Sequence, residues 1–324
     1  MTLREPFRIG SLVVPNNIFY APLAGYTDMP FRRIIMKYRP GLFFCEMVKM
    51  EALTRNTSKT LEYLKYTADM HPIGAQIVGS NVSLAGSSAG IAEDLGFDVI
   101  DYNCGCPVDK VTKDGSGSAM LKNPQKIGEI ISAMVAVVKV PVTVKVRVGW
   151  DSSSVCVEDL VRIAEDAGAA MITIHGRTRT QGYSGKADRE LIALGKRAAK
   201  KILVFGNGDI FTGADGRDMF DTTGCDGVLV ARGMLGNPWL VEDIVATMKG
   251  ETPADRSFEE RKKELINHYN AMLEYKGEHQ AVLEMRRVAC WYFKACPGSR
   301  DFRRVVTQAH SNDDVLEAIA RFIS

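Results

Sequence analysis

Asp98-Val99-Ile100-Asp101-Tyr102-Asn103-Cys104-Gly105-Cys106-Pro107 runs from a short apolar segment straight into a loop kinked by Gly105 and Pro107. A strand that feeds a tight loop presents its last side chains at the carboxyl edge of a parallel sheet, where α/β proteins keep their chemistry. Cys106 is therefore a candidate reactive thiol, with Asn103 beside it.

Outward from this stretch, similar apolar runs recur at Asn17 to Ala21, Leu42 to Cys45, Pro72 to Val78, Val142 to Val146, Met171 to Ile174, Ile202 to Phe205 and Gly227 to Val230. Longer amphipathic segments separate them, which is the pattern of βαβ units and a parallel sheet. Eight runs at even spacing predict an α/β fold of the (β/α)8 TIM-barrel type rather than an open doubly wound sheet. Helix ends are legible between them. Asp28-Met29-Pro30 and Asn123-Pro124 read as starts, and Gly168 as the stop of the segment from Val157 to Ala167. Beyond Trp239-Leu240 the β-branched runs cease, Lys249-Gly250-Glu251-Thr252-Pro253 reads as a linker, and Ser257 with Glu260 forms a capping-box signature. The expected organisation is a barrel over residues 1–248 followed by an all-helical C-terminal domain over 249–324.

The 324-residue length suits one barrel of about 250 residues plus a small appendage. A hydrophobic share of 46% and a charged share of 25% are those of a soluble globular chain and exclude disordered or fibrous classes. The start, Met1-Thr2-Leu3-Arg4-Glu5-Pro6, has no apolar signal-type core, and no uninterrupted apolar stretch suggests a membrane span, so a cytoplasmic protein is expected. Seven cysteines without an export signal point to reduced thiols. Cys104 and Cys106 are a C-x-C pair, but a structural zinc site needs four ligands. Cys45, Cys156, Cys225, Cys290 and Cys296 offer no second pair at suitable spacing, so no metal is expected and Cys104 reads as a packing residue. The net charge of +2 is small but uneven: from Arg256 to Arg304 eleven Lys/Arg stand against seven Asp/Glu, a local net of +4.

Polar or backbone-exposing residues stand at the predicted strand ends, where a barrel enzyme carries its site. They are Pro22-Leu23-Ala24, Glu46, Gln76, Asn103 with Cys106, Lys145, His175, Asn207-Gly208-Asp209 and Ala231-Arg232-Gly233. The turns after the seventh and eighth strands have the form of a barrel phosphate site, although tight turns alone would also use their glycines. Lys145 alternates with Val142, Val144 and Val146 and so faces away from them, into the barrel mouth, where a cation needs an anionic or carbonyl partner. A flavin supplies one, since positive charge at its N1/C2 edge stabilises the reduced ring, and Gln76 can bond the other edge. An FMN-dependent barrel is the simplest reading that uses most of the strand ends.

Six segments in order resemble the tRNA-dihydrouridine synthase family, and most of all its bacterial B-type branch. They are Ala21-Pro-Leu-Ala-Gly-Tyr-Thr-Asp-Met-Pro-Phe-Arg32, Asn103-Cys-Gly-Cys-Pro-Val-Asp-Lys110, Val144-Lys-Val-Arg147, His175-Gly-Arg-Thr-Arg179, Gly206-Asn-Gly-Asp-Ile210 and Arg232-Gly-Met-Leu-Gly-Asn-Pro-Trp239. The resemblance runs from about Phe7 to Leu240 and more weakly to the end. It departs at Leu23 and Cys104, where the family often has Met, and at Ala231, where it usually has Gly.

The resemblance implies an FMN barrel with a helical C-terminal domain that uses NADPH to reduce the C5=C6 bond of specific uridines in tRNA. It implies Cys106 as proton donor, and Pro22, Leu23, Ala24, Gln76, Lys145, His175, Asn207, Gly208, Asp209, Ala231, Arg232 and Gly233 as FMN contacts. In uracil the C5=C6 bond is conjugated to the C4 carbonyl, so hydride is expected at C6 and a proton at C5, and a thiol of ordinary pKa of about 8.5 is protonated and ready to donate. The target base must leave its stack, so RNA must be gripped outside the site. Arg286, Arg287, Lys294, Arg300, Arg303 and Arg304, with Trp291 and Tyr292 nearby, are the expected RNA contacts, and Arg177 and Arg179 at the barrel mouth are expected to meet RNA or the flavin phosphate. No G-x-G-x-x-G fingerprint stands out, so the nicotinamide cofactor is expected to bind transiently at the flavin. A monomer without a stable protein partner is expected. Ribosomal RNA as substrate, a small conjugated carbonyl as for a dihydroorotate dehydrogenase or ene-reductase, and a noncatalytic RNA-binding barrel are the competing readings.

Overall fold

The computed structural model describes residues 3–294 and 296–322. It opens with an antiparallel hairpin, β1 (Phe7–Ile9) with β2 (Leu12–Val14). The following strands are β3 (Ile18–Tyr20), β4 (Leu42–Phe44), β5 (Val48–Lys49), β6 (Ile73–Val78), β7 (Val99–Cys104), β8 (Val142–Arg147), β9 (Met171–His175), β10 (Leu203–Asn207) and β11 (Gly227–Val230). All their pairings are parallel, and a β4–β6 ladder closes the sheet into an eight-stranded barrel, with two-residue β5 added alongside the end of β6. The barrel strands fall on the eight apolar runs, so the (β/α)8 expectation holds.

The strand period divides the side chains into two sets. Val142, Val144 and Val146 point outward into the shell packed against the helices. Inward, the barrel changes character along its axis. Its amino end is filled by Phe19, Leu42, Val99, Met171, Phe205 and Leu229, and Phe7 from the hairpin joins them, 6.4 Å from Phe19 and 5.7 Å from Phe205 between ring centroids. The hairpin, to which the sequence reading gave no role, thus plugs the barrel floor. Further along, the inward residues become polar: Asp101 opposite Thr143, Asn103 opposite Lys145, and Arg147 and Asn207 flanking His175.

The capping signals behave as their chemistry requires. Asp28 accepts from the Phe31 N–H at the start of helix Met29–Ile35, and Ser257 and Glu260 make a reciprocal box at the start of helix Phe258–Lys276. Asn123 precedes helix Pro124–Val135 without a side-chain cap bond. Helix Leu240–Lys249 ends at Gly250, in a left-handed conformation, and residues 251–257 carry no regular structure.

Helices Phe258–Lys276, Glu278–Tyr292, Ser299–Val306 and Asn312–Arg321 then enclose their own apolar cluster around Tyr269, Met285, Phe293 and Phe302. They seat on the barrel through helix Met29–Ile35. His268 lies 5.5 Å from the Phe31 ring, and Lys276 Nζ bridges Asp28 and Glu284 at 2.5 Å each. Among the described residues no helix is long and apolar enough to cross a membrane.

Candidate active site

A cavity of about 390 Å³ opens at the carboxyl ends of the barrel strands. Cys106 lines it, and so does every residue expected at the cofactor: Pro22, Leu23 and Ala24 after β3, Gln76 on β6, Lys145 on β8, His175 on β9, Asn207, Gly208 and Asp209 after β10, and Ala231, Arg232 and Gly233 after β11. Residues spread over more than two hundred positions of sequence therefore meet in one place. Glu46, also at a strand end, is buried outside the cavity and accepts from the Gly25 N–H, which anchors the loop carrying Pro22 to Ala24.

The Cys106 loop is held through its backbone groups by two neighbouring side chains. Asn103 Oδ1 accepts from the N–H groups of Gly105 at 3.1 Å and Cys106 at 2.9 Å, and Ser118 Oγ donates to the Cys106 carbonyl at 2.9 Å. Burial pushes the Cys106 thiol above its ordinary pKa, against the pull of the Val108 N–H, Arg147 and Lys145. At neutral pH the group is a thiol, able to give a proton and unready to act as a nucleophile. Cys104 is fully buried among the outward-facing shell residues, as its expected packing role requires.

Positive charge is in surplus around this thiol. Lys145, Arg147 and Arg232 line the cavity, and Arg177 stands directly behind it with Asp209. Burial, with the neighbouring Arg147, lowers the Lys145 ammonium to about 8, and burial lowers the Arg147 guanidinium to about 10. Burial and then these cations hold His175 well below the usual imidazole range, so it is neutral and its ring can donate or accept one hydrogen bond. Such a set of strained cations favours an anion or the oxygen edge of a conjugated ring.

Gly208 and Gly233 form the turns after β10 and β11, neighbours in the sheet. A Cβ at Gly233 would stand 2.0 Å from the Ile210 carbonyl oxygen, and Gly208 has φ +122°, so both positions require glycine for the turn itself while leaving backbone open to the cavity. The donor set of two bare turns, Arg232 and Lys145 fits a phosphorylated, electron-accepting ring such as FMN.

A model of the dihydrouridine synthase family matches residues 19–323. This chain belongs to the dihydrouridine synthase family. Among its relatives are the probable tRNA-dihydrouridine synthase of Rickettsia conorii, 38% identical over 97% of this chain and 96% of that protein, and tRNA-dihydrouridine synthase B of Pseudomonas syringae pv. tomato, 35% identical over 98% and 94%. Solved structures of like fold include histamine dehydrogenase from Rhizobium sp. 4-9 (TM-score 0.56, 14% identity, 82% of this chain and 50% of that one) and a 2-naphthoyl-CoA reductase complex (TM-score 0.59, 11% identity, 76% and 52%). At these identities they speak for the barrel fold alone.

Arg177, expected in this family member to face RNA or phosphate, does neither. Its side chain is 2% exposed and its guanidinium is fully engaged: it pairs with both carboxylate oxygens of Asp209 at 2.9 and 2.7 Å and donates to the carbonyls of Ser184 at 3.1 Å and Gly185 at 2.6 Å. It fixes Asp209, whose φ is +51°, and ties the loop after β9 to the end of β10. Arg179, two residues on, lies at the rim, paired with Asp109 at 2.8 Å and 4.7 Å above Trp150.

Of the C-terminal cations in this dihydrouridine synthase family member, Arg287, Lys294, Arg300, Arg303 and Arg304 are exposed and Arg286 is half-buried, donating to the Ala309 carbonyl at 2.7 Å. Arg286, Arg287, Lys294 and Arg303 gather around one further cavity, which Arg300 and Arg304 do not line. Tyr292 is core, its hydroxyl 3.2 Å from His268 Nδ1, whereas Trp291 is half-exposed at the active-site mouth.

Among the cavity residues without an assigned role in the sequence are Arg147, Tyr183 and Tyr26. Arg147 had a signal, since it follows Lys145 by two on the same strand and must share its face. It donates to the Gly105 carbonyl at 2.9 Å and to the Thr178 and Gly182 carbonyls at 2.7 and 2.9 Å, joining the Cys106 loop to the loop after β9. Tyr183 had none: it is carried over the cavity by that loop, where Arg232 stacks 4.1 Å from its ring.

Proposed function

We propose that this chain reduces the C5=C6 bond of specific uridines in tRNA to 5,6-dihydrouridine, with FMN as cofactor and NADPH as its reductant. The observation that carries this reading is the placing of the Cys106 thiol, kept protonated by burial, in the same barrel-mouth cavity as the cation surplus of Lys145, Arg147 and Arg232. The near full-length relatives named tRNA-dihydrouridine synthases support it.

FMN, when bound, supplies the hydride that reaches C6 of the base. Gly208, Arg232 and Gly233 are the residues to hold its phosphate, Lys145 and His175 the electron-rich edge of its ring, and Gln76 the opposite edge, with Pro22 to Ala24, Asn207, Asp209 and Ala231 shaping the walls. Cys106 delivers the proton to C5 and is restored by solvent between turnovers. Arg147 fixes the Cys106 loop through the Gly105 carbonyl. Residues 1–248 form the catalytic domain, and residues 249–324 grip the RNA so that the uridine can be turned out of its stack. NADPH visits the flavin transiently, and the enzyme works as a cytoplasmic monomer.

The deciding experiment is to reduce the purified protein's flavin with NADPH under anaerobic conditions and add unmodified tRNA transcript. Flavin reoxidation with dihydrouridine in the digested RNA is the expected result. Bound flavin that ignores tRNA but responds to ribosomal RNA or to a small conjugated carbonyl would overturn the substrate, and protein that binds no flavin would overturn the chemistry.

A further inference from the structure

A second cavity, about 490 Å³, lies against the first and shares two residues with it, Tyr26 and Trp291. The two rings meet edge to face, 6.3 Å between centroids at 85°, so this aromatic pair is a common wall. Four cations, with Cys290 and Thr307, line the rest of the second cavity. Arg287 lies 4.3 Å over the Tyr26 ring and Lys294 5.1 Å over the Trp291 ring, with Arg286 and Arg303 beside them. Among the described residues no carboxylate lines it. Where Arg286 and Arg287 are engaged, their partners are not carboxylates: Arg286 meets the Ala309 carbonyl and the His310 ring, and Arg287 the Gly25 carbonyl.

We propose that this second cavity seats the nucleotide adjacent in the RNA chain to the reacting uridine, with its base against Trp291 and Tyr26 and its phosphate among Arg287, Lys294 and Arg303. Aromatic faces interleaved with cations that meet no carboxylate among the described residues are the chemistry that holds a single-stranded nucleotide without reading its sequence. Chain continuity selects which nucleotide: a uridine turned into the first cavity brings one of its two chain neighbours within reach of the far side of the shared wall. Turning a base out breaks its stacking, and a platform for the neighbour restores part of that loss, which favours the flipped state. The inference rests on the RNA reading above and adds a subsite to it.

The test is a double-mutant cycle between protein and RNA. Transcripts of the tRNA that the wild type modifies are made with an abasic nucleotide immediately 5′ or 3′ of the mapped uridine. On one of the two sides, loss of the base raises KM for RNA about tenfold in the wild type, and in Trp291→Ala the same loss adds nothing. Trp291→Phe, which keeps a ring, restores the sensitivity, and Arg303→Ala weakens RNA binding with a shallower salt dependence. Insensitivity of the wild type to both abasic transcripts overturns the proposal without any variant, and so do independent, multiplicative effects in Trp291→Ala. If Trp291→Ala and Arg303→Ala instead raise KM for NADPH and leave that for RNA, the cavity belongs to the adenosine phosphate half of the reductant and the proposal fails. Failure of the wild type to form dihydrouridine in any intact RNA would strike the RNA reading itself, whereas product formation without coupling strikes only this subsite.

Discussion

Asp101 fixes the amide of Gln76: the buried carboxylate accepts from Gln76 Nε2 at 2.7 Å, while Gln76 Oε1 accepts from Asn103 Nδ2 at 2.8 Å. Asn103 Oδ1 in turn accepts from the Cys106 N–H, and Thr143 Oγ1 donates to the other Asp101 oxygen at 2.6 Å. One chain of hydrogen bonds thus runs across three strands, β8 to β7 to β6, and ends at the loop that carries the thiol. Each amide is used at both ends, so neither can flip without leaving a buried group unsatisfied.

Asp101→Leu is expected to lower FMN occupancy and slow dihydrouridine formation about fivefold or more, since a lost buried partner costs about 1–3 kcal/mol. Asp101→Asn can still accept from Gln76 and donate to Thr143, so its occupancy should stay near wild type. Flavin-to-protein absorbance ratios of the purified variants check this; equal occupancy in wild type and Asp101→Leu would remove the relay from the account.

Cys106→Ala is expected to keep FMN and its reduction by NADPH while losing product formation, because the substitution removes only the proposed proton donor. Stopped-flow absorbance of the two half-reactions separates them. Wild-type dihydrouridine yield from this variant would assign the proton to another group.

Lys145 gives the site a pH dependence of defined sign. Its ammonium titrates near 8 in the protein, below the ordinary 10.5. Binding of an anion favours the protonated form, so FMN affinity should be greatest below pH 8 and weaken as pH rises through 8, by at most about tenfold per unit. The same group works the other way on folding of the flavin-free protein. Its charged form is penalised fully below pH 8, and the penalty is relieved between 8 and 10.5. Fluorescence titration of FMN against pH, with Lys145→Met as the flat control, tests the first effect, and urea unfolding over the same range tests the second.

Arg177→Ala should destabilise the fold by about 2 kcal/mol, because it leaves the partly exposed Asp209 carboxylate with only the Ala187 N–H at 2.8 Å and Arg232 at 3.4 Å, and frees two loop carbonyls. Arg177→Lys should not restore the loss, since one ammonium cannot reproduce the bidentate pair and both carbonyl bonds. Urea unfolding of the three proteins provides the comparison. If Arg177→Ala unfolds with the wild type but releases RNA, the arginine belongs to the RNA surface after all.

What was legible in the sequence was whatever depends on local period and local chemistry. The eight apolar runs became the eight barrel strands, the caps at Asp28 and Ser257 formed with their expected partners, and the alternation of valines with Lys145 placed that ammonium in the barrel mouth. Because a barrel brings all strand ends to one rim, a correct strand list was enough to gather the cavity residues.

The barrel and the inward face of each strand follow from a two-residue period and a short list of turn and cap residues, all of them local. Which of two like residues faces which environment was settled only on folding. Arg177 and Arg179 read alike in sequence, yet one is buried on Asp209 and the other lies at the rim; Trp291 and Tyr292 are adjacent, yet one walls two cavities and the other is core. The hairpin that carries Phe7 takes its role only from the barrel floor, where Phe19 and Phe205 are there to pack against. The physical reason is common to all three: burial and charge pairing depend on which distant element lies opposite a side chain, and that is fixed by the closure of the sheet and the seating of the helices, which no local pattern records.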